Sequence, residues 1–191
     1  MSCKTIASIT LFIILLFHIN PELKAHSLGF SFSPEMALKK SSTATMKAQA
    51  GISLDARFNY EFSNSYFIQL NGGLRFFRPS GGGSDWILYR GFNAWGAGLG
   101  AGYRFPVFPL FGEFSGVPLV TLRGYGYFGN YRNTDIHFFY PGFEVEPAFE
   151  AFSFNEDRLH LQAGIPIGWN FQRDLELFIS MGISFHILYS F

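Results

Sequence analysis

From Leu175 to Phe191 the chain puts Leu175, Leu177, Ile179, Met181, Ile183, Phe185, Ile187, Tyr189 and Phe191 at alternate positions. Glu176, Ser180, Gly182, Ser184, His186 and Ser190 fill most of the places between. A period of two belongs to a β-strand, whose successive side chains face opposite ways, and here one face is wholly apolar. The preceding segment repeats the pattern. Leu159, Leu161, Ala163, Ile165, Ile167, Trp169 and Phe171 alternate with His160, Gln162, Gly164, Pro166, Gly168 and Asn170. Gln172–Asp174 reads as the hairpin turn between the two. Pro166 removes a ladder hydrogen bond, and a bulge is expected there.

The same period recurs upstream. Ile52, Leu54, Ala56, Phe58, Tyr60 and Phe62 oppose Ser53, Asp55, Arg57, Asn59 and Glu61. Ile68, Leu70, Leu74 and Phe76 oppose Gln69, Asn71 and Arg75, and Phe143, Val145, Pro147 and Phe149 oppose Glu144, Glu146 and Glu150. Val120 and Leu122 oppose Thr121, Arg123 and Tyr125. The stretch GAGLGAGYRF begins with the spelling of a dinucleotide fingerprint, but that motif must open a helix. Pro106 and Pro109 follow within a few residues, whereas Trp95, Ala97, Leu99, Ala101, Tyr103 and Phe105 alternate with Gly96, Gly98, Gly100, Gly102 and Arg104. This is a strand with a smooth inner wall. The pattern predicts eight strands, roughly 28–38, 48–62, 66–77, 93–105, 117–128, 139–154, 159–171 and 175–191. An even number puts both termini at one end.

Composition decides what such a sheet packs against. Aromatic residues make up 19% of the chain and charged residues 15%, against about 25% charged in an ordinary soluble domain. A sandwich would show water polar faces rich in Lys, Glu and Thr, but the polar faces here are Gly, Ser and Asn with scattered charges. A barrel in a membrane wants apolar residues outside, aromatic girdles at both rims and a polar, filled interior. Closure also satisfies every backbone group, which lipid demands. The expected fold is all-β: an eight-stranded antiparallel up-and-down transmembrane β-barrel. A soluble, lipocalin-like barrel with its apolar side inside is the alternative. Tyr60, Phe62, Tyr66, Phe67, Trp95, Tyr103, Phe105, Tyr125, Tyr127, Phe128, Trp169, Phe171, Tyr189 and Phe191 are the expected girdle residues.

Residues 1–27 have a Lys, an apolar stretch from Ile6 to Ile19, Pro21, and the small-residue site Ala25-His26-Ser27. This is the pattern of a cleaved secretory signal peptide, with residues 28–191 as the barrel domain. An N-terminal membrane anchor is the competing reading, and the shortness of the stretch argues against it. The single cysteine, Cys3, lies in the leader, so the exported chain has no disulfide or thiolate chemistry. Formal net charge is zero, which supplies no field for nucleic acid. No His and carboxylate spacing suits a metal, and no cofactor is expected.

An exported chain ending in FHILYSF resembles a bacterial outer-membrane β-barrel. Its size and the GAGLGAGYRF strand are similar to the small eight-stranded OmpA/OmpX/OmpW-like family. The resemblance implies residence in the cell outer membrane, contact with its lipid, and recognition of the last strand by the barrel-assembly machinery. Phe185, Ile187, Tyr189 and Phe191 match that assembly signal. It also implies a structural or surface-interaction role, with a narrow conduit for small or hydrophobic solutes as the alternative. Loops 78–92 and 129–138 lie at the end opposite the termini and combine Arg, Tyr, Trp and Gly, a mix that suits an extracellular partner.

Inside such a barrel the inward charges Asp55, Arg57, Arg75, Arg104, Arg123, Glu144, Glu146 and Glu150 must pair or be hydrated. They read as a network that fixes strand register, with Arg123 expected to meet Glu146 or Glu150. Some barrels of this size are lipid A-modifying enzymes, which need His, Ser and an acid on the lipid face. His160 and His186 point inward and neither sits in a His-x-Ser arrangement, so no enzyme is expected.

Deleting Phe191 tests the assembly role. One aromatic ring contributes about 1.5–3 kcal/mol on burial, so the deletion is expected to spare refolding into detergent. It is expected to impair insertion in cells, read as surface level of the protein. Normal surface levels would remove the role.

Overall fold

The computed structural model describes residues 26–40, 46–62, 65–78, 91–111, 114–132, 134–154, 158–172 and 175–191. The strands are β1 (Ser27–Lys40), β2 (Met46–Glu61), β3 (Tyr66–Phe77), β4 (Phe92–Arg104), β5 (Phe108–Phe111), β6 (Phe114–Tyr131), β7 (His137–Phe154), β8 (Leu159–Gly164), β9 (Ile167–Gln172), β10 (Leu175–Gly182) and β11 (Ser184–Ser190). β8 and β9 are two halves of one crossing, as are β10 and β11. Each crossing pairs antiparallel with the next in sequence, and the last returns to the first: β1 pairs with β2, β10 and β11. Eight crossings therefore close into an up-and-down barrel without a free sheet edge.

The ends of this ring carry additions. β1 begins at Ser27, and His26 exchanges backbone hydrogen bonds with Phe191 at 3.2 and 2.9 Å, so the wall closes to the last residue of the chain. Within residues 106–116, expected to be a connection, β5 pairs with the start of β6 at the end where the termini lie. Phe105, Val107 and Phe108 are exposed there.

The period-two reading sorts the side chains correctly. Along β3 exposed and buried residues alternate almost without fault. Phe30, Trp95, Leu99, Leu122 and Ile187 are among the large apolar side chains exposed on the outside, at 57–70%. Buried inside are Asp55, Arg57, Arg75, Arg123, Glu144 and Glu146. A soluble protein cannot show water a continuous apolar belt while hiding its charges, but lipid reverses the preference of both faces. Aromatic contacts mark both rims. Trp95, Phe128 and Phe139 form one chain toward the loop end, with centroids 5.4 and 4.7 Å apart. Tyr66, Tyr103 and Phe105 form another toward the terminal end, each step 4.9 Å.

Three expected girdle residues are not in the girdles. Phe67, Tyr125 and Tyr127 are buried in the lumen, because they share the inward parity of Gln69 and Arg123. The glycines of β4 make room for them. A Cβ at Gly102 would stand 2.0 Å from the Phe67 ring, and one at Gly96 would stand 2.2 Å from the Gly126 carbonyl oxygen. The smooth inner wall is a seat for aromatic rings.

Pro166 does not produce a bulge. Val145 faces Ile167 on one side of it and Ala148 faces Gly164 on the other, so the register runs through unshifted. The strand is simply interrupted, and the interruption belongs to a row. Ile183 N donates to Pro34 O at 3.2 Å, Gly182 N to Pro166 O at 3.2 Å, and Ile165 N to Pro147 O at 2.9 Å. In each pair the proline has no N–H to return, so each rung keeps one hydrogen bond of two. Three neighbouring seams are thus weakened at one height, where lipid offers no substitute donor.

Amide hydrogen exchange of the refolded barrel checks this row. The amides of Ile165, Gly182 and Ile183 are expected to exchange faster than those of Gly72 and Ala97 on the other side of the wall. Pro147→Ala restores a donor opposite Ile165. With a net hydrogen bond near 1 kcal/mol it is expected to slow local exchange about fivefold.

Candidate functional site

Closure brings the inward charges of distant segments to one level of the lumen, where β7 supplies Glu144 and Glu146, two residues apart and both facing in. Glu144 accepts from Arg75 Nη2 on β3 at 3.2 Å and from Arg123 Nη2 on β6 in a short contact. Glu146 accepts from Arg57 Nη1 on β2 at 2.9 Å, lies 3.8 Å from Arg123, and receives the Ser184 hydroxyl and His186 Nε2 from β11. β2 and β7 stand on opposite sides of the ring, so the Arg57–Glu146 pair spans the lumen.

Further contacts hold Arg75 in place. The Arg75 guanidinium lies beside the rings of Tyr125 and Tyr127, 4.8 and 4.5 Å from their centroids. Its Nε is 4.0 Å from Glu35, which also accepts from Ser53 Oγ at 2.6 Å. Asp55 accepts from Tyr127 OH at 3.2 Å and from Ser31 Oγ at 3.4 Å. Asn170 accepts from Tyr125 OH at 2.8 Å. In so narrow an interior an unpaired charge is costly, and pairing with hydrogen bonds to the remaining oxygens is what makes burial tolerable.

Above this level, toward the loops, the lumen is aromatic. Phe77 and Phe92 stack at 4.6 Å, Tyr127 and Tyr140 at 5.4 Å, and Phe178 meets Tyr140 edge-on at 5.6 Å. All five rings are buried to 1% exposure or less. Below it, toward the termini, lies a partly hydrated layer. Arg104 pairs with Glu61 at 2.6 Å, and His160 Nδ1 lies 2.9 Å from Glu150 Oε1. Gln162 donates to Glu150 at 2.8 Å, and Ser190 Oγ lies 3.0 Å from His160 Nε2.

The structure therefore puts Asp55, Arg57, Arg75, Arg123, Glu144 and Glu146 in one cluster, with Arg104 and Glu150 in the layer beneath. Of the two partners expected for Arg123, Glu146 lies 3.8 Å away and Glu150 is out of reach. Glu150 is four to six residues further down β7 than the arginine's partners, and it is engaged by His160 and Gln162 instead. Glu35 belongs to the cluster but escaped the sequence reading, and His186 and Ser184, read only as inward-facing, join it at Glu146. Glu35 was legible in principle, since it shares the parity of Ser31 and Ser33 on β1. Both histidines do find serines: Ser184 lies 2.9 Å from His186 Nε2, and Ser190 reaches His160 across the β8–β11 seam. A search for His-x-Ser in one direction along one strand could not see either. His137, expected in a loop, begins β7 opposite Asn130. Among the described residues no group of His, Cys, Asp and Glu could hold a metal ion. Most of loop 78–92 lies outside the described residues. In the other loop, Arg132 donates to Asn93 at 3.3 Å.

No protein-family model matches the chain, and no curated protein matches it in sequence. Solved structures do. Neisserial surface protein A is similar over 87% of this chain and 97% of its own, with 14% identity and a TM-score of 0.61. The attachment invasion locus protein Ail of Yersinia pestis is similar over 88% and 100%, with 10% identity and a TM-score of 0.45. At such identity the likeness to the Neisserial protein is one of fold. The chain has the fold of a small eight-stranded outer-membrane barrel, and its apolar belt makes it a membrane barrel.

Glu144 is the test of the cluster. Glu144→Ala leaves two buried guanidiniums short of a partner and is expected to cost about 3–5 kcal/mol in urea unfolding of the refolded barrel. Arg123→Ala with Glu144→Ala should be strongly non-additive, whereas Arg123→Ala with Glu150→Ala should add. The opposite pattern would assign Arg123 to the lower layer.

Proposed function

We propose that this protein is a closed barrel of the bacterial outer membrane, with a structural or surface-interaction role and no transport through its lumen. The observation that carries the reading is the wall-to-wall ion pairing of Glu144 and Glu146 with Arg57, Arg75 and Arg123. A hydrated pathway for small solutes would have to break these contacts in a narrow lumen, leaving charges without partners. The aromatic stack at the loop end opposes passage a second time, since its rings are in contact and dry.

With the lumen occupied, what the barrel offers is its outside. The apolar belt meets membrane lipid. The barrel-assembly machinery is the partner during insertion, through the strand that ends at Phe191. The loop end is the surface for an extracellular partner, with Asp135, Ile136 and His137 exposed at the tip between β6 and β7. Export through a cleaved leader and residence in the outer membrane follow from the same reading.

Planar-bilayer recording of the refolded protein tests it. No discrete conductance is expected at physiological salt. Reproducible unitary steps, abolished by heat unfolding, would replace the closed barrel with a narrow conduit.

A further inference from the structure

The layer at the terminal end of the lumen contains an arrangement that a salt-bridged plug does not need. His160 uses its two ring nitrogens for different partners: Ser190 Oγ at 3.0 Å on Nε2, and Glu150 Oε1 at 2.9 Å on Nδ1. Gln162 Nε2 holds the second oxygen of Glu150 at 2.8 Å. This is the order by which a carboxylate orients an imidazole and the imidazole takes the proton of a serine. The other histidine of the lumen lacks it, because Ser184 and Glu146 both meet His186 at Nε2.

Local structure supports the arrangement. β7 shifts register against β8 between Glu150 and Phe152, a break in the ladder immediately beside the carboxylate. Ser190 is the last residue of β11 and His160 the second of β8, so the group stands at the mouth on the side of the termini. The His160 and Glu150 side chains keep 14% and 12% exposure, while Arg57, Arg123, Glu144 and Glu146 keep 4% or less. Water at the terminal end reaches the first group and not the second. Arg104 belongs to the same layer, where its Nη1 pairs with Glu61 at 2.6 Å.

We propose that Ser190, His160 and Glu150 form a serine-hydrolase centre at the terminal mouth of the barrel, acting on small acyl esters. Ser190 Oγ adds to the acyl carbonyl carbon as its proton passes to His160 Nε2. The ester C–O bond breaks, and the alcohol leaves with that proton. Water then adds to the acyl-serine, giving its proton to His160, and the carboxylic acid departs as Ser190 regains a proton. Glu150 and Gln162 are positioning residues. The proposal rests on this layer alone and is independent of whether the lumen conducts.

The test uses the full barrel refolded in detergent, a fluorophosphonate probe with peptide mapping, and p-nitrophenyl acetate as substrate. Heat-modifiable gel mobility reports folding of every variant. The expected result is a Ser190 adduct in the folded wild type that is absent after unfolding and absent in Ser190→Ala. His160→Gln should slow labelling about 10²-fold or more. Glu150→Gln should lower kcat for the ester with KM unchanged, a split that loss of a merely structural hydrogen bond does not give. No Ser190 adduct in the folded wild type overturns the proposal, whatever the variants do. So does labelling that His160→Gln leaves at full rate in a folded barrel.

Discussion

Two carboxylates on one strand hold the inside of this barrel together. Glu144 and Glu146 on β7 take the guanidiniums of Arg57, Arg75 and Arg123 from three other strands, and one of these pairs crosses the whole lumen. In a lumen this narrow none of these charges has a cheap alternative: away from its partners each would be buried and unpaired. The pairing thus constrains strand register, since a slip of one residue would turn the arginines and the carboxylates to the lipid face. Small or aromatic neighbours follow from it. The glycines of β4 leave space for Phe67 and Tyr127, and the rings of Tyr125 and Tyr127 both lie within 5 Å of the Arg75 guanidinium.

The wall is under a different constraint, that of backbone hydrogen bonding in lipid. A ladder free of proline can meet it in full. The stretch from β1 through β10/β11 and β8/β9 to β7 does not, because Pro34, Pro166 and Pro147 each face a strand neighbour they cannot donate to. The unshifted register through this row shows that a proline in a closed barrel can be accommodated by losing half a rung rather than by a bulge. The ion pairs lie directly behind the row, with Glu146 and Ser184 adjacent in sequence to Pro147 and Ile183. Strong lumen contacts therefore back the weakest part of the wall.

The lumen is layered by solvent access as well as by chemistry. Dry aromatic rings close the loop end, fully buried ion pairs fill the middle, and partly hydrated polar groups form the floor. The chemistry open to each layer differs accordingly. Buried pairs are held by their desolvated neighbours, whereas the His160 and Glu150 side chains keep partial exposure beside Ser190.

Alternation alone determined the eight crossings (but not the short β5), their inward and outward faces, and through the charge-poor, aromatic-rich composition the choice of lipid as outer solvent. The inward placement of all eight charged residues, Asp55 through Glu150, was legible because parity along a strand is local and has only two values. Of their partners, only the contact of Arg123 with Glu146 was among those expected. Which arginine meets Glu144, and that Arg123 stops short of Glu150, depends on height in the barrel, which the stagger of successive strands sets. Tyr125 and Tyr127 show the same limit from another side. A tyrosine near a strand end suits a girdle by composition, and only its parity together with the glycine opposite puts it in the lumen. Ser190 and His160 lie thirty residues apart on the two arms of one hairpin, and the register of that hairpin, which neither local sequence states, brings them into contact.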